Sequence, residues 1–152
     1  MVHDGRLTGI DLLGPGAPLK VPAEGSLAAE AARQLAAYFD DPAFRFDRPL
    51  ETGGTPYQRR VWDALTRIPP GEPPTYGALA REVGGGARAV GGACRANPIP
   101  IVIPCHRVVA ASGLGGYMGA REGTGSRADS AEPLAVKAWL LDHERRVTPG
   151  AR

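Results

Sequence analysis

The sequence predicts an α+β fold, with a small N-terminal α/β piece joined to a larger, mainly helical C-terminal region. Three observations predict it. The apolar stretch Leu7 to Leu13 has the length of a short strand and is followed, across a loop with Pro18 and Pro22, by one helically periodic stretch. The pair Gly53-Gly54 then interrupts the chain as a linker. Beyond it come capped segments of period 3.6 rather than alternating strands. The expected division is residues 1–52 and residues 53–148, both within the size that 152 residues allow.

The elements follow in order. Gly14-Pro15-Gly16 ends the first strand. Ser26 caps a helix running to about Phe39, with Leu27, Ala31, Leu35 and Tyr38 on one face and Asp40-Asp41-Pro42 as its stop. Phe44 to Leu50 alternates weakly. Thr55-Pro56-Tyr57-Gln58 is a capping box with proline at the first helical position. The stripe Val61, Trp62, Leu65 and Ile68 follows, up to Pro69-Pro70-Gly71. Thr75 caps a helix whose inner face is Tyr76, Leu79, Ala80 and Val83. Gly84-Gly85-Gly86 makes a tight turn into a short helix from Ala87 to about Arg95. Two short helices joined by a glycine turn read as a helix-turn-helix, with a winged-helix-like arrangement expected. Many αα-hairpins share that pattern without touching DNA. However, Gly91 and Gly92 each cost about 1 kcal/mol inside a helix, and close approach of another surface is the natural compensation. The last helix starts near Pro133, carries Leu134, Ala138 and Leu141 on one face with Val136, Trp139 and Leu140 beside them, and ends near Glu144-Arg145-Arg146. Between Arg121 and Pro133 the chain is polar, small and aperiodic, the pattern of a mobile loop.

Composition narrows the function classes. Hydrophobic residues make up 43% of the chain, enough for a core, and no apolar run reaches membrane-spanning length. The start Met1-Val2-His3-Asp4-Gly5-Arg6 has neither the basic nor the apolar region of a signal peptide, so a cytoplasmic location is expected. Cys94 and Cys105 with three histidines do not make a zinc spacing, and no metal is expected. A disulfide between the two cysteines is allowed by count and disfavoured by a reducing compartment. Net charge is only +2, with Lys20 and Lys137 the sole lysines. Arginine suits bidentate phosphate contacts, although GC-rich coding would enrich it equally.

Chemistry concentrates in Ile99-Pro100-Ile101-Val102-Ile103-Pro104-Cys105-His106-Arg107-Val108-Val109. A free cysteine is most often a small buried hydrophobe. Here Pro104 suits the first turn of a helix, where unpaired N–H groups would lower the thiol pKa, and His106 and Arg107 add a base and a positive charge. On a regular strand Cys105 and His106 would face opposite ways; a turn or a bridging water is needed to couple them. A base also needs an orienting partner, for which Glu144, Asp142 and Glu122 are candidates.

Taken together, these residues resemble the O6-alkylguanine-DNA alkyltransferases, or methylated-DNA–protein-cysteine methyltransferases. The resemblance runs from about Gly54 to Glu144. It is carried by Gly54 to Trp62, Thr75-Tyr76-Gly77, Arg88-Ala89-Val90-Gly91-Gly92-Ala93, Asn97 to Val109, and Tyr117 followed by Leu134 to Leu141 and Glu144. It implies stoichiometric DNA repair. By that resemblance Cys105 would accept the alkyl group, His106 would take the thiol proton through a water, Glu144 would orient His106, and Asn97 would hold the active-site turn. Tyr76 would crowd the 3′ phosphate and assist the departing guanine. Arg88 would enter the base stack, while Ala89, Gly92 and Arg95 would share its DNA-facing helix. Pro100, Val108, Tyr117 and Met118 would line the base pocket, and Cys94 would be a packing residue. The implied partner is double-stranded DNA carrying O6-alkylguanine, with O4-alkylthymine left open. No cofactor, no membrane and a monomeric protein are implied.

The chain also departs from the family pattern. Strands that usually precede the segment matching Leu7–Leu13 are missing, so a truncated N-terminal domain is expected. The turn at Gly84–Gly86 is slightly short. Residues Arg121 to Pro133 replace a short glycine loop and are expected to modulate pocket access or DNA contact; unchanged transfer of short and bulky alkyl groups after their deletion would reject that role. Two rivals remain. A DNA-binding module that recognises alkylated bases without transfer would lack the acceptor cysteine. A cysteine hydrolase would need an oxyanion motif, which is not seen.

Overall fold

A computed structural model describes residues 1–11, 21–47, 50–117 and 133–146. It begins with a two-stranded antiparallel hairpin, β1 (Val2–His3) and β2 (Arg6–Leu7), in the register Val2 opposite Leu7. Asp4 and Gly5 turn it with positive φ at both positions, the backbone that an Asp-Gly pair favours. The expected strand from Leu7 to Leu13 is therefore corrected. Extended pairing covers Arg6–Leu7, residues 8–11 form no strand, and residues 12–13 lie outside the described residues.

Helix α1 (Leu27–Asp40) is capped by Ser26, whose hydroxyl accepts from the Ala29 amide. Its inward side carries Tyr38 and Gln34. Gln34 bonds both the amide and the carbonyl of Asp47, clamping the Phe44–Leu50 segment to the helix. Residues 44–47 form no regular strand, and Leu50 contributes one parallel bridge to Leu7.

Helix α2 (Pro56–Thr66) starts at the full capping box of Thr55 and Gln58. It buries Val61, Trp62 and Leu65, a set in which each side chain is worth about 1.5–3 kcal/mol of apolar burial. Helices α3 (Tyr76–Val83) and α4 (Ala87–Arg95) pack against each other and on α2, and the Trp62 Nε1–H donates to the Ala93 carbonyl at 2.8 Å. Gly84 and Gly85, at φ 91° and 74°, make the turn between them in a region that other residues enter at a cost. The turn is braced by the Tyr57 hydroxyl, which donates to the Gly84 carbonyl.

After α4 the apolar run does not form a core strand. Ile101 sits at φ 73°, unfavourable for a β-branched residue, and the chain coils so that the Ile103 amide reaches the Ile99 carbonyl. A single 3₁₀ turn, Cys105–Arg107, follows. Val109 then lies beside the start of α3, its carbonyl accepting from Tyr76 and its amide donating to Pro74.

Helix α5 (Pro133–Glu144) completes the described fold. Its inward side differs from the expected Leu134, Ala138 and Leu141. The buried residues are Lys137, Leu140, His143 and Glu144, whereas Trp139 is 53% exposed. Apolar residues surround the helix, so periodicity alone does not choose a face. Polar partners deep in the core choose it instead. Among the described residues no helix is long and apolar enough to cross a membrane.

Candidate active site

The coil 97–104 and the 3₁₀ turn bring Cys105 and His106 into the interior, with only 2% and 0% of their surfaces exposed. Asn97 organises that coil. Its Nδ2 donates to the Ile103 carbonyl at 2.8 Å, and its Oδ1 accepts from the Ile99 amide at 2.9 Å. Two turns of backbone are thus tied by one buried amide, which offsets the left-handed Ile101.

Glu144 arrives from the end of α5 and meets the turn. The Nε2 of His106 lies 2.6 Å from Glu144 Oε2, both side chains wholly buried. Arg107 Nε donates to Oε1 at 2.9 Å and its Nη2 to Oε2 at 3.2 Å, while Nη1 reaches the Ile68 carbonyl. A fourth donor comes from α1: the Tyr38 hydroxyl, at 2.6 Å from Oε2.

These contacts fix protonation states. Burial alone would raise the Glu144 carboxyl, but the His106 hydrogen bond and the Arg107 guanidinium outweigh it and hold it at about 2. Burial pushes His106 down despite the carboxylate. The pair therefore rests as an ionised Glu144 and a neutral imidazole whose Nε2–H donates to it. The other ring nitrogen, Nδ1, has no hydrogen-bond partner among the described residues and remains a buried lone pair.

The expectation that a helix start lowers the Cys105 pKa is not met. Burial dominates and pushes the thiol up to about 11, with the Asn97 amide and the Lys137 ammonium opposing. The turn is too short to supply many open N–H groups: the Cys105 amide donates to Ile103 and that of Arg107 to Pro104. The sulfur rests as a thiol, and its proton needs an acceptor.

Of the expected pocket residues, Pro100, Val108 and Tyr117 are buried, and the Tyr117 hydroxyl has no partner among the described residues. Tyr76 opens α3 half-buried, its hydroxyl donating to the Gly116 carbonyl at 3.2 Å. Burial pushes that hydroxyl up to about 12, so it rests protonated. Gly115, at φ 78°, cannot carry a side chain here, because a Cβ would lie 2.9 Å from the Tyr76 ring. Lys137, wholly buried, donates to the carbonyls of Val108 at 2.7 Å and Gly116 at 2.8 Å. It ties both walls of the site together. Met118 and residues 121–132 lie outside the described residues.

The exposed side of α4 carries Arg88, Ala89, Gly92 and Arg95, with Ala96 exposed just beyond its end, while Val90, Ala93 and Cys94 face inward. Between the two arginines the surface is therefore only backbone and methyl groups, and a Cβ at Gly92 would meet nothing within 4 Å.

Two important side chains, Lys137 and Tyr38, carry no role legible in the sequence, and a third, Arg107, reads only as a positive charge beside Cys105. Lys137 was visible only as a charge in an apolar helix, Tyr38 looked like one more core aromatic, and Arg107 gave no hint of its partner. Among the described residues no group of three or more potential metal ligands occurs.

Comparison with known proteins gives this geometry a lineage. The methylated-DNA–protein-cysteine methyltransferase of Mycolicibacterium paratuberculosis is 46% identical over 126 residues, 81% of this chain and 68% of its own length. That of Mycobacterium leprae is 51% identical over 102 residues, 65% of this chain and 61% of its own length. The crystal structure of Mycobacterium tuberculosis O6-methylguanine methyltransferase superposes with a TM-score of 0.67 at 40% identity, covering 85% of this chain and 72% of that one. The Mycobacterium tuberculosis OGT in complex with DNA superposes at 0.72 and 36% identity, covering 96% and 85%. Residues 56–146 match the family described as 6-O-methylguanine DNA methyltransferase, DNA binding domain, and the chain belongs to that family.

Proposed function

We propose that this protein repairs DNA by direct, single-turnover transfer of an alkyl group from O6-alkylguanine to Cys105. One observation carries the reading. A buried thiol adjoins a neutral imidazole whose far nitrogen is held by an ionised, fully hydrogen-bonded carboxylate. That is a nucleophile, a base to take its proton and a group to orient the base, in sequence.

In the proposed reaction Cys105 Sγ attacks the alkyl carbon in line with the carbon–O6 bond. The sulfur–carbon bond forms, and the electron pair of the breaking bond leaves on guanine. His106 takes the thiol proton at Nδ1 through a water, within the one-water reach of a general base. Glu144 steadies the imidazolium that results, and the Tyr76 hydroxyl donates to the departing guanine. The thioether product has no ready leaving group, so each molecule acts once and no cofactor is needed.

The lesion must leave the stack, which costs a few kcal/mol. In this reading Arg88 fills the gap it leaves. Ala89, Gly92 and Arg95 lie along the minor groove, where small residues allow close backbone approach. Pro100, Val108, Tyr117 and Met118 enclose the extruded base, and Asn97 keeps the turn in shape. Residues 53–148 carry binding and chemistry, with residues 1–52 as a supporting domain. A monomer acting in the cytoplasm fits the two free thiols.

The test is mass spectrometry after incubation with a duplex containing O6-methylguanine. One methyl group on the peptide bearing Cys105 is expected, with Cys105→Ala unmodified yet still bound to DNA. Binding without any mass gain would favour a recognition module instead, and transfer persisting in Cys105→Ala would reject the assignment.

A further inference from the structure

The Tyr38 hydroxyl comes from helix α1, outside residues 56–146, and donates to the same Glu144 oxygen that accepts His106. We infer that Tyr38 is a positioning residue of the Cys105–His106–Glu144 relay, so that α1 takes part in the active site as well as in the scaffold. The inference rests on the proposed transfer reaction.

Several contacts hold Tyr38 in place. It is wholly buried, and its ring packs edge-on to His143 at 5.2 Å and against Phe46 at 5.8 Å. Its backbone carbonyl accepts from His143 Nε2 at 2.8 Å while its hydroxyl reaches Glu144. Two consecutive residues of α5 are therefore gripped by the two ends of one tyrosine. With ring and backbone both fixed, the hydroxyl has little freedom to leave Oε2. Burial beside the carboxylate pushes its ionisation far above the ordinary range, so it acts only as a donor.

The consequence follows from charge. Each donor on Oε2 withdraws negative charge from the atom that pulls on the imidazole N–H. Without Tyr38 that oxygen keeps more charge and stabilises the imidazolium more strongly, so His106 holds its proton to higher pH. Other charged or titratable groups act on the ring or its carboxylate: Glu144 and Lys137 of α5, Arg107 of its own turn, and Tyr117 beyond, which also faces Cys105. None of these is altered by Tyr38→Phe, which removes one oxygen and keeps the ring.

Two measurements test this. Single-turnover methyl transfer by Tyr38→Phe, followed from about pH 5 to about pH 9, should show its acid limb moved up by about 0.5–1 unit. A merely structural loss would lower the rate at every pH by one factor, and a profile that superimposes after correction for folded protein overturns the inference. Independently of DNA and of the variant, NMR of the wild-type protein should show the Tyr38 hydroxyl proton protected from exchange and in contact with the His106 ring N–H. Absence of that contact overturns it as well. If the wild-type protein transfers nothing, the functional reading fails by itself, and the NMR experiment still decides whether Tyr38 is coupled to His106.

Discussion

Replacing Gly92 by alanine should move stability and DNA affinity in opposite directions. Gly92 lies in the interior of α4, its carbonyl accepting from the Ala96 amide, and a Cβ there would touch no protein atom within 4 Å. Alanine should therefore recover the helix preference that glycine forgoes, about 0.5–1 kcal/mol. For a chain of this size that raises the melting temperature by about 1–4 °C. If the small-residue face of α4 is pressed into a minor groove, the same methyl group meets DNA instead of solvent. Inserting a methyl into a close-packed contact costs about 1–3 kcal/mol, a weakening of roughly 5- to 150-fold. Circular dichroism melting and fluorescence anisotropy on a short duplex read the two effects separately. A stabilised variant with unchanged affinity would refute the placement of this face against DNA, and a destabilised one would refute the open space at Gly92.

Other perturbations address the buried charge and the base. Glu144 titrates near 2 when folded against an ordinary 4.5, so its ionised form adds stability of order 3 kcal/mol above about pH 4.5, lost as pH falls toward 2. Arg107→Met strips two donors from this carboxylate and should cost about 3–5 kcal/mol at neutral pH. That penalty should shrink below about pH 4.5, where the variant's carboxyl takes up a proton and sheds its uncompensated charge. Urea unfolding at neutral pH and near pH 4 measures it, and equal penalties at both would show that Arg107 acts through packing alone. Arg88→Ala should slow repair of duplex DNA more than reaction with a free O6-alkylated base, since only the duplex requires extrusion. Equal slowing would remove Arg88 from the base stack. Affinity for duplex should fall as salt rises if phosphates are contacted, and a flat salt response would exclude them.

Local chemistry made much of this protein legible in its sequence. Caps at Ser26, Thr55 and Thr75, the glycine turn at 84–86 and the 3.6-residue stripes are short-range signals, and α1 to α4 begin and end within a residue or two of where they point. The Cys105–His106–Arg107 turn stood out because prolines and polar groups interrupt an apolar run. Even the hairpin had its Asp4-Gly5 signal, although the longer apolar stretch after it drew the strand too far along the chain. What sequence could not decide was which groups meet across the fold. Helix α5 is apolar on every side, so its inward face was settled by buried partners: Lys137 on the Val108 and Gly116 carbonyls, and Glu144 among Tyr38, His106 and Arg107. The Cys105 thiol likewise owes its protonated resting state to burial rather than to its place at the start of a turn. Periodicity and capping depend on neighbours a few residues apart, whereas desolvation and charge pairing depend on what the folded chain encloses.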